Sequence, residues 1–315
     1  MKKIGLLGYG ETGFSALTAL LGKFSVSWVI VPEVKEGMQN TDLVEELAKK
    51  NNIVIHKVKN IKDLNKILKK DLSDGVVISS FNQIIPSDML QKTKFINVHH
   101  GDLPRFRGRA NVNWAIINGR TEIGLSIHEA VPDLDAGNIY AQYSIKITKE
   151  DTVREVYGKI NKVIENKLAL VVDKVLSGYK GQRQQGRATY CCTRLPQDGI
   201  VDWENTTVQI GNLIRGLTHP FPGAFSFLDG ERIYIWDYEL PNPPRVYEGR
   251  IPGRVIEIHQ GKGVEILTGD GSLIIKQVTY KGRRINASQV VSSVKKTFGI
   301  NQVELYEYVQ KMKEK

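Results

Sequence analysis

Apolar residues fall in short runs through the first part of the chain, with helical spacings between them. Residues 4–7, 28–31, 53–55, 76–78 and 95–98 are near-continuous apolar runs and read as buried strands. Phe14, Leu17, Leu20 and Leu21 share one helical face between the first two. Strands alternating with helices predict a mostly parallel sheet with right-handed crossovers. Two more strands are expected at 124–128 and 139–145. A long helix is expected over 151–177, where Val153, Val156, Tyr157, Ile160, Val163, Ile164, Val171 and Val175 recur near helical spacing and Gly178 offers a stop. Residues 181–187, Gly-Gln-Arg-Gln-Gln-Gly-Arg, read as a polar connector, and a further helix is expected near 208–217. The texture then changes to short β-type runs at 233–236, 253–258, 263–267 and 273–278, separated by Gly, Pro and Asp. The fold class expected is α/β. A Rossmann-like domain with a mostly parallel sheet covers residues 1–202, and a smaller β-rich domain, an OB-like open barrel, covers 203–315. Residues 311–315 read as a frayed tail.

Composition narrows the class. The 315 residues are 41% hydrophobic and 25% charged, which is ordinary globular usage and excludes disordered and fibrous chains. No run of about 18 apolar residues occurs, so no membrane span is expected. The basic start before Ile4 leads into an apolar run too short for a signal peptide, and it reads as the first strand. Cys191 and Cys192 are adjacent and make a poor staple, which points to a reducing cytoplasm. The net charge of +10 raises the question of a polyanionic partner. Residues 204–315 hold only +3 of it. Much of the remainder lies in the lysine-rich stretch 49–70, where lysines interleave with Ile, Val and Leu and read as solvated faces. A phosphate-bearing small molecule needs only a few cations.

Two candidate sites stand out. Gly8-Tyr9-Gly10-Glu11-Thr12-Gly13 follows the first strand, opens a helix and fits G-x-G-x-x-G, with Glu33 at the end of the second strand. Taken alone it suggests a dinucleotide-dependent oxidoreductase, because glycines let backbone amides approach a pyrophosphate. A tight β–α turn without a ligand needs the same small residues. The second candidate is Asn97 and His99, two apart on a strand and so on one face, at the strand end where open α/β sheets place ligands. His100 points elsewhere and reads as structural. Asp133-Leu134-Asp135-Ala136-Gly137 forms a turn some way downstream, and its Asp135 could meet His99. No His-x-x-x-His or Cys-x-x-Cys spacing occurs, so no metal is expected.

Four elements then occur in order: Phe95-Ile96-Asn97-Val98-His99, Leu103-Pro104-Arg105-Phe106-Arg107-Gly108-Arg109-Ala110, Asn113-Trp114-Ala115-Ile116-Ile117-Asn118-Gly119, and Leu134-Asp135-Ala136-Gly137-Asn138-Ile139. Together they resemble the 10-formyltetrahydrofolate-dependent formyltransferases. Tyr190, Asp202-Trp203, Ile214-Arg215 and Pro220-Phe221-Pro222-Gly223-Ala224-Phe225 resemble the entry to that family's C-terminal barrel. The resemblance implies 10-formyltetrahydrofolate as formyl donor and a catalytic trio of Asn97, His99 and Asp135. It also implies a folate pocket lined by Phe81, Asn82, Gln83, Ile84, Ile85 and the loop before Asp135, including Asp133. Two positions depart from the family: the usual Ser is Gly101, and Asp102 replaces an apolar residue.

Three acceptors are compatible with such chemistry. Methionyl-tRNA readers of the family carry a basic inserted loop after the second strand, whereas residues 31–40 here hold two acids and one lysine. Both this loop and the weakly charged second domain disfavour closely spaced phosphates as a partner. Arg107-Gly108-Arg109-Ala110-Asn111 looks more like the sugar-nucleotide branch, which serves surface polysaccharide synthesis. Arg107, Arg109 and Asn111, with Gly8 and Gly10, are therefore the expected contacts to a UDP- or dTDP-linked amino sugar. Water as acceptor fits poorly with a full second domain, and glycinamide ribonucleotide transformylase lacks one. The expected function is formyl transfer to a nucleotide-linked amino sugar. The alternatives are methionyl-tRNA formylation and, more remotely, an NAD(P)-dependent oxidoreductase. No membrane partner is expected, and a homodimer is left open.

Overall fold

The computed structural model describes residues 1–33, 42–69, 73–81, 83–300 and 302–313. The described residues form two compact units. The first comprises Met1–Ala115 and Thr121–Thr193, the second Ile116–Arg120 and Arg194–Lys315. The chain thus passes between units ahead of the expected 202/203 division. Ile200 already bridges Phe225, and the Val201 amide donates to the Phe225 carbonyl at 2.8 Å.

The first unit runs β1 (Lys3–Gly8), α1 (Gly10–Leu21), β2 (Ser25–Pro32), α2 (Leu43–Lys50), β3 (Val54–Val58), α3 (Ile61–Leu68), β4 (Gly75–Ser79), α4 (Ser87–Leu90), β5 (Lys94–His99), β6 (Arg107–Gly108), α5 (Asn111–Ile117), β7 (Glu122–Glu129), β8 (Ile139–Lys146), α6 (Val153–Leu176) and β9 (Tyr190–Cys191). Its seven-stranded sheet has the order β3-β2-β1-β4-β5-β7-β8 among the described residues. The first five of these strands are parallel, and β7 and β8 are antiparallel. Ile4, Leu6, Leu7, Val76 and Val77 are fully buried, as both-face coverage by helices requires. Gly5 is imposed by packing, since a Cβ there would lie 2.1 Å from the Trp28 ring. Helix α6 begins at a Thr152–Glu155 capping box and buries Val153, Val156, Ile160, Ile164, Leu168, Val171 and Val175. Each such side chain contributes roughly 1.5–3 kcal/mol by leaving water. The described lysines of stretch 49–70 are exposed, on α2, β3 and α3 and at the ends of these elements.

The second unit runs α7 (Thr207–Leu217), β10 (Ala224–Leu228), β11 (Glu231–Glu239), β12 (Val255–His259), β13 (Gly263–Leu267), β14 (Ser272–Tyr280), β15 (Arg283–Asn286) and α8 (Gln302–Lys313). Its sheet is antiparallel throughout, in the order β10-β11-β14-β13-β12 with β15 on β14. The core includes Trp203, Ile210, Ile214, Ile233, Ile235, Val264, Leu273 and Phe298. Residues 311–313 belong to α8 rather than to a frayed tail. No described helix is long and apolar enough to cross a membrane.

Candidate active site

The antiparallel turn of the sheet at β5 and β7 builds the site. Asn97 and His99 leave β5 on one face, and β7 sets His128 opposite Asn97 and Ser126 opposite His99. His99, Ser126 and His128 are buried polar residues. Such groups are stable only when hydrogen-bonded, and each is. Asp135 arrives from the β7–β8 connection in the left-handed region, with φ 48°. It stands between the two imidazoles, Oδ2 being 3.6 Å from His99 Nδ1 and Oδ1 3.6 Å from His128 Nε2. The Gly108 amide donates to Oδ2 at 2.9 Å, and Asn97 Nδ2 lies 3.5 Å from Oδ1. The expected trio is therefore one cluster.

The two imidazoles are held differently. His128 Nδ1 lies 2.7 Å from the Glu129 carbonyl, which only accepts, so Nδ1 carries the proton. Its Nε2 is then an acceptor, and the Asn97 amide donates to it at 3.0 Å. Burial, with help from the charge of His99, pushes the His128 pKa down to about 4, so the ring is neutral near pH 7. His99 Nε2 donates to the Phe106 carbonyl at 2.7 Å while its Nδ1 faces Asp135. Both His99 nitrogens thus face oxygens. His128 was not among the expected residues. Its signal was a polar residue at alternate positions, Ser126 then His128, inside an otherwise apolar strand. The ligating atoms of His99, His128 and Asp135 lie within 4.8 Å of one another. Histidine spacing in sequence does not reveal this grouping, because the three come from β5, β7 and a loop.

The two departures in the 100–110 loop have physical accounts. A Cβ at Gly101 would lie 2.8 Å from both His99 Nε2 and the Phe106 carbonyl, so their hydrogen bond occupies the space a serine would need. Asp102 pairs with Arg105 within the same turn, and the Arg105 amide donates to the Asp102 carbonyl at 3.0 Å. The loop then passes through Phe106 (φ 58°), Gly108 (φ 98°) and Ala110 (φ 56°). Gly108 is required twice, by its positive φ and because a Cβ would lie 2.4 Å from the Cys191 carbonyl.

The remaining expected residues divide. Arg107 is half-buried and donates to Gln184 Oε1 at 2.7 Å, while its Nε is buried without a partner. The charge of Arg109 acts on the phenol of Tyr9, whose pKa burial raises, so the arginine loop and the glycine loop are electrostatic neighbours. Asn111 is buried with its amide nitrogen 3.1 Å from His99 Nε2. Gly8 packs against Ser79, whose carbonyl would lie 2.6 Å from a Cβ; Gly10 (φ 65°) has open space at that position. Glu33 pairs with Lys59 at 3.5 Å. Phe81 packs on the core cluster that contains Ile85, whereas Ile84 is exposed and Gln83 Oε1 is buried without a partner. Asp133 is exposed and closes the turn, its carbonyl accepting from the Ala136 amide at 3.3 Å. Asn82 and most of the loop after β2 lie outside the described residues. His100 is half-buried against Tyr157, and desolvation holds its pKa down to about 3, as suits a structural imidazole.

Two matching family models, over a mostly parallel first unit and an antiparallel second, define an enzyme that transfers formyl groups. The chain belongs to the formyltransferase family: the formyl transferase model matches residues 31–172, and the formyl transferase C-terminal domain model matches residues 195–295. The methionyl-tRNA formyltransferase of Fusobacterium nucleatum is 32% identical over 259 residues, covering 80% of this chain and 83% of its own. That of Malacoplasma penetrans is 29% identical and covers 90% of each chain. Among solved structures, WlaRD, a sugar 3N-formyl transferase solved with dTDP and 5-N-formyl-THF, matches with a TM-score of 0.65 at 22% identity, over 90% of this chain and 99% of WlaRD. The N-formyltransferase of Helicobacter canadensis, in complex with folinic acid and dTDP-3-aminofucose, matches at 0.64 and 21% identity, over 89% of this chain and 100% of that one. The chain spans about half the length of HypX from Aquifex aeolicus, solved with tetrahydrofolic acid: 93% of this chain and 47% of HypX align, with a TM-score of 0.64 and 17% identity.

Proposed function

We propose that this formyltransferase moves the formyl group of 10-formyltetrahydrofolate to the primary amine of a nucleotide-linked amino sugar, in the cytoplasm, where the free cysteines Cys191 and Cys192 stay reduced. The donor supplies an electrophilic formyl carbon. The segment around Gln83 suits its pteridine: a buried acceptor without a partner, beside the apolar side chains of Phe81 and Ile84, is complementary to an aromatic ring edged with N–H donors. The acceptor amine is the nucleophile, so the chain needs no nucleophile of its own. As the amine bonds to the formyl carbon, charge builds on the formyl oxygen, and Asn97 Nδ2 is the donor placed to receive it; one such donor is typically worth about 100–1000-fold in rate. His128 fixes which end of the Asn97 amide points into the site. The proton the amine sheds goes to the Asp135 carboxylate, which the Gly108 amide holds beside His99. The bond from the formyl carbon to N10 breaks, and N10 keeps the electron pair and gains a proton.

The acceptor reading is carried by Arg107 and Arg109, two cations flanking the Gly108 amide that binds Asp135. Two guanidinium groups carried two residues apart on one short segment suit a diphosphate. A second reading, methionyl-tRNA as acceptor, is favoured by the names of the sequence relatives. One assay separates them: 10-formyltetrahydrofolate with UDP- and dTDP-linked amino sugars beside charged initiator tRNA, read by mass spectrometry. Formylation of an amino sugar supports the first reading, and formylation of tRNA alone replaces it with the second.

A further inference from the structure

The connector at 181–187 reads as a solvated spacer, and Gln182, Arg183, Gln185, Gly186 and Arg187 are indeed exposed. Gln184 is turned inward. Its Nε2 donates to two carbonyls of the Asp135 turn, Asp135 O at 2.7 Å and Gly137 O at 2.9 Å. Its Oε1 accepts from Arg107 Nη2 at 2.7 Å. Each polar atom of this side chain is thereby committed to the site.

The segment is also pinned on both sides of Gln184. On one side, Gln182 and Ile139 exchange two backbone hydrogen bonds, each 2.8 Å, at the start of β8. On the other, Arg107 N donates to Thr189 O at 2.9 Å, Phe106 N donates to Thr189 Oγ1 at 3.0 Å, and β9 pairs with β6. The connector is a strap stretched across the two loops that supply Asp135 and the Gly108 amide.

We infer that Gln184 is a positioning residue for formyl transfer, holding the Asp135 carboxylate in register with His99 and Asn97. This rests on the catalytic trio proposed above. Asp135 sits at φ 48°, in the left-handed region that non-glycine residues occupy uncommonly, Asp among the more tolerant. The Gln184 amide grips the carbonyl of Asp135 and that of Gly137, so the turn is held from its backbone while Gly108 N–H holds the carboxylate. Arg107, which can bond Gln184 and whose Nε has no partner, couples the strap to the loop proposed to face the acceptor.

The test uses the full chain with Gln184→Glu and Gln184→Ala. Gln184→Glu keeps the acceptor for Arg107 and loses both donors to the turn. Each variant is expected to lower kcat about 10–100-fold, the range that sub-ångström misplacement of a reacting group produces, with donor KM within about threefold and an unchanged melting temperature. Adding Arg107→Ala to Gln184→Ala is expected to cost much less than the product of the two single losses, since the two share one contact. Wild-type kcat in Gln184→Glu overturns the inference, as does a loss confined to melting temperature or KM. If Asn97→Ala is itself fully active, the underlying trio fails; if Asn97→Ala is inactive and Gln184→Glu normal, only the role of Gln184 fails.

Discussion

Two glycine-bearing turns of the first unit, 8–13 and 101–110, use glycine differently. In the first, Gly8 and Gly13 allow β1 and α1 to touch: a Cβ on Gly13 would meet Gly8 at 3.1 Å and Val44 at 3.1 Å. In the second, Gly101 leaves room for the His99–Phe106 hydrogen bond, and Gly108 presents its amide to Asp135. The first turn matches a familiar phosphate-binding pattern, yet two of its three glycines are accounted for by packing. The second matches no phosphate-binding pattern and forms one wall of the Asn97, His99 and Asp135 cluster. A glycine motif records close approach; what approaches, chain or ligand, depends on the residues around it.

Substitutions in the two turns should therefore fail in different ways. The largest effect belongs to the cluster served by the second turn. Asn97→Ala is expected to lower kcat about 100–1000-fold with the fold intact, as steady-state kinetics beside circular dichroism would record. Gly101→Ser, which restores the residue usual in the family, is expected to lower kcat about tenfold and cost roughly 1–3 kcal/mol, because the side chain must displace the His99–Phe106 bond. A more active Gly101→Ser enzyme would contradict the packing account.

Acid should weaken the second region through its imidazoles. Burial holds His128 down to about 4 and His100 to about 3, against an ordinary 6.5. The unfolded chain binds these protons more readily, so stability is full above about pH 6.5 and falls as pH drops towards 4. About 2 kcal/mol per ring is expected to be lost by pH 5. Urea midpoints at pH 7.5 and 5.0 check this, and His100→Gln should remove part of the slope. The smallest effect on rate is expected at Gly13→Ala. Crowding against Gly8 and Val44 should lower stability by roughly 1–3 kcal/mol while kcat stays within about threefold. A folded but inactive Gly13→Ala would erase the distinction between the turns.

The parallel half of the sheet was legible because its strands are buried on both faces and leave continuous apolar runs. Asn97, His99 and Asp135 were legible through strand periodicity and the family pattern. Strands β10 and β15 and helix α8 were not. Phe225 and Phe227 of β10 stand beside a Pro-Gly-rich segment, and Arg283-Arg284 begins β15. Helix α8 leaves Val303, Leu305, Tyr306, Val309 and Met312 exposed, so no polar face marks it. His128 and Gln184 escaped for another reason. Their roles exist only once β7 turns antiparallel to β5 and the connector folds back over the Asp135 turn. Ser126 and His128 show in the sequence only as polar positions in an apolar strand, and the inward turn of Gln184 leaves no local signature.

The cluster's role is tested most directly by single-turnover formyl transfer with Asp135→Asn, which preserves shape and removes the charge facing His99. The rate is expected to fall about 100-fold at pH 7.5 with an unchanged melting temperature. A rate within threefold of the unsubstituted chain would contradict the assignment of formyl transfer to Asn97, His99 and Asp135.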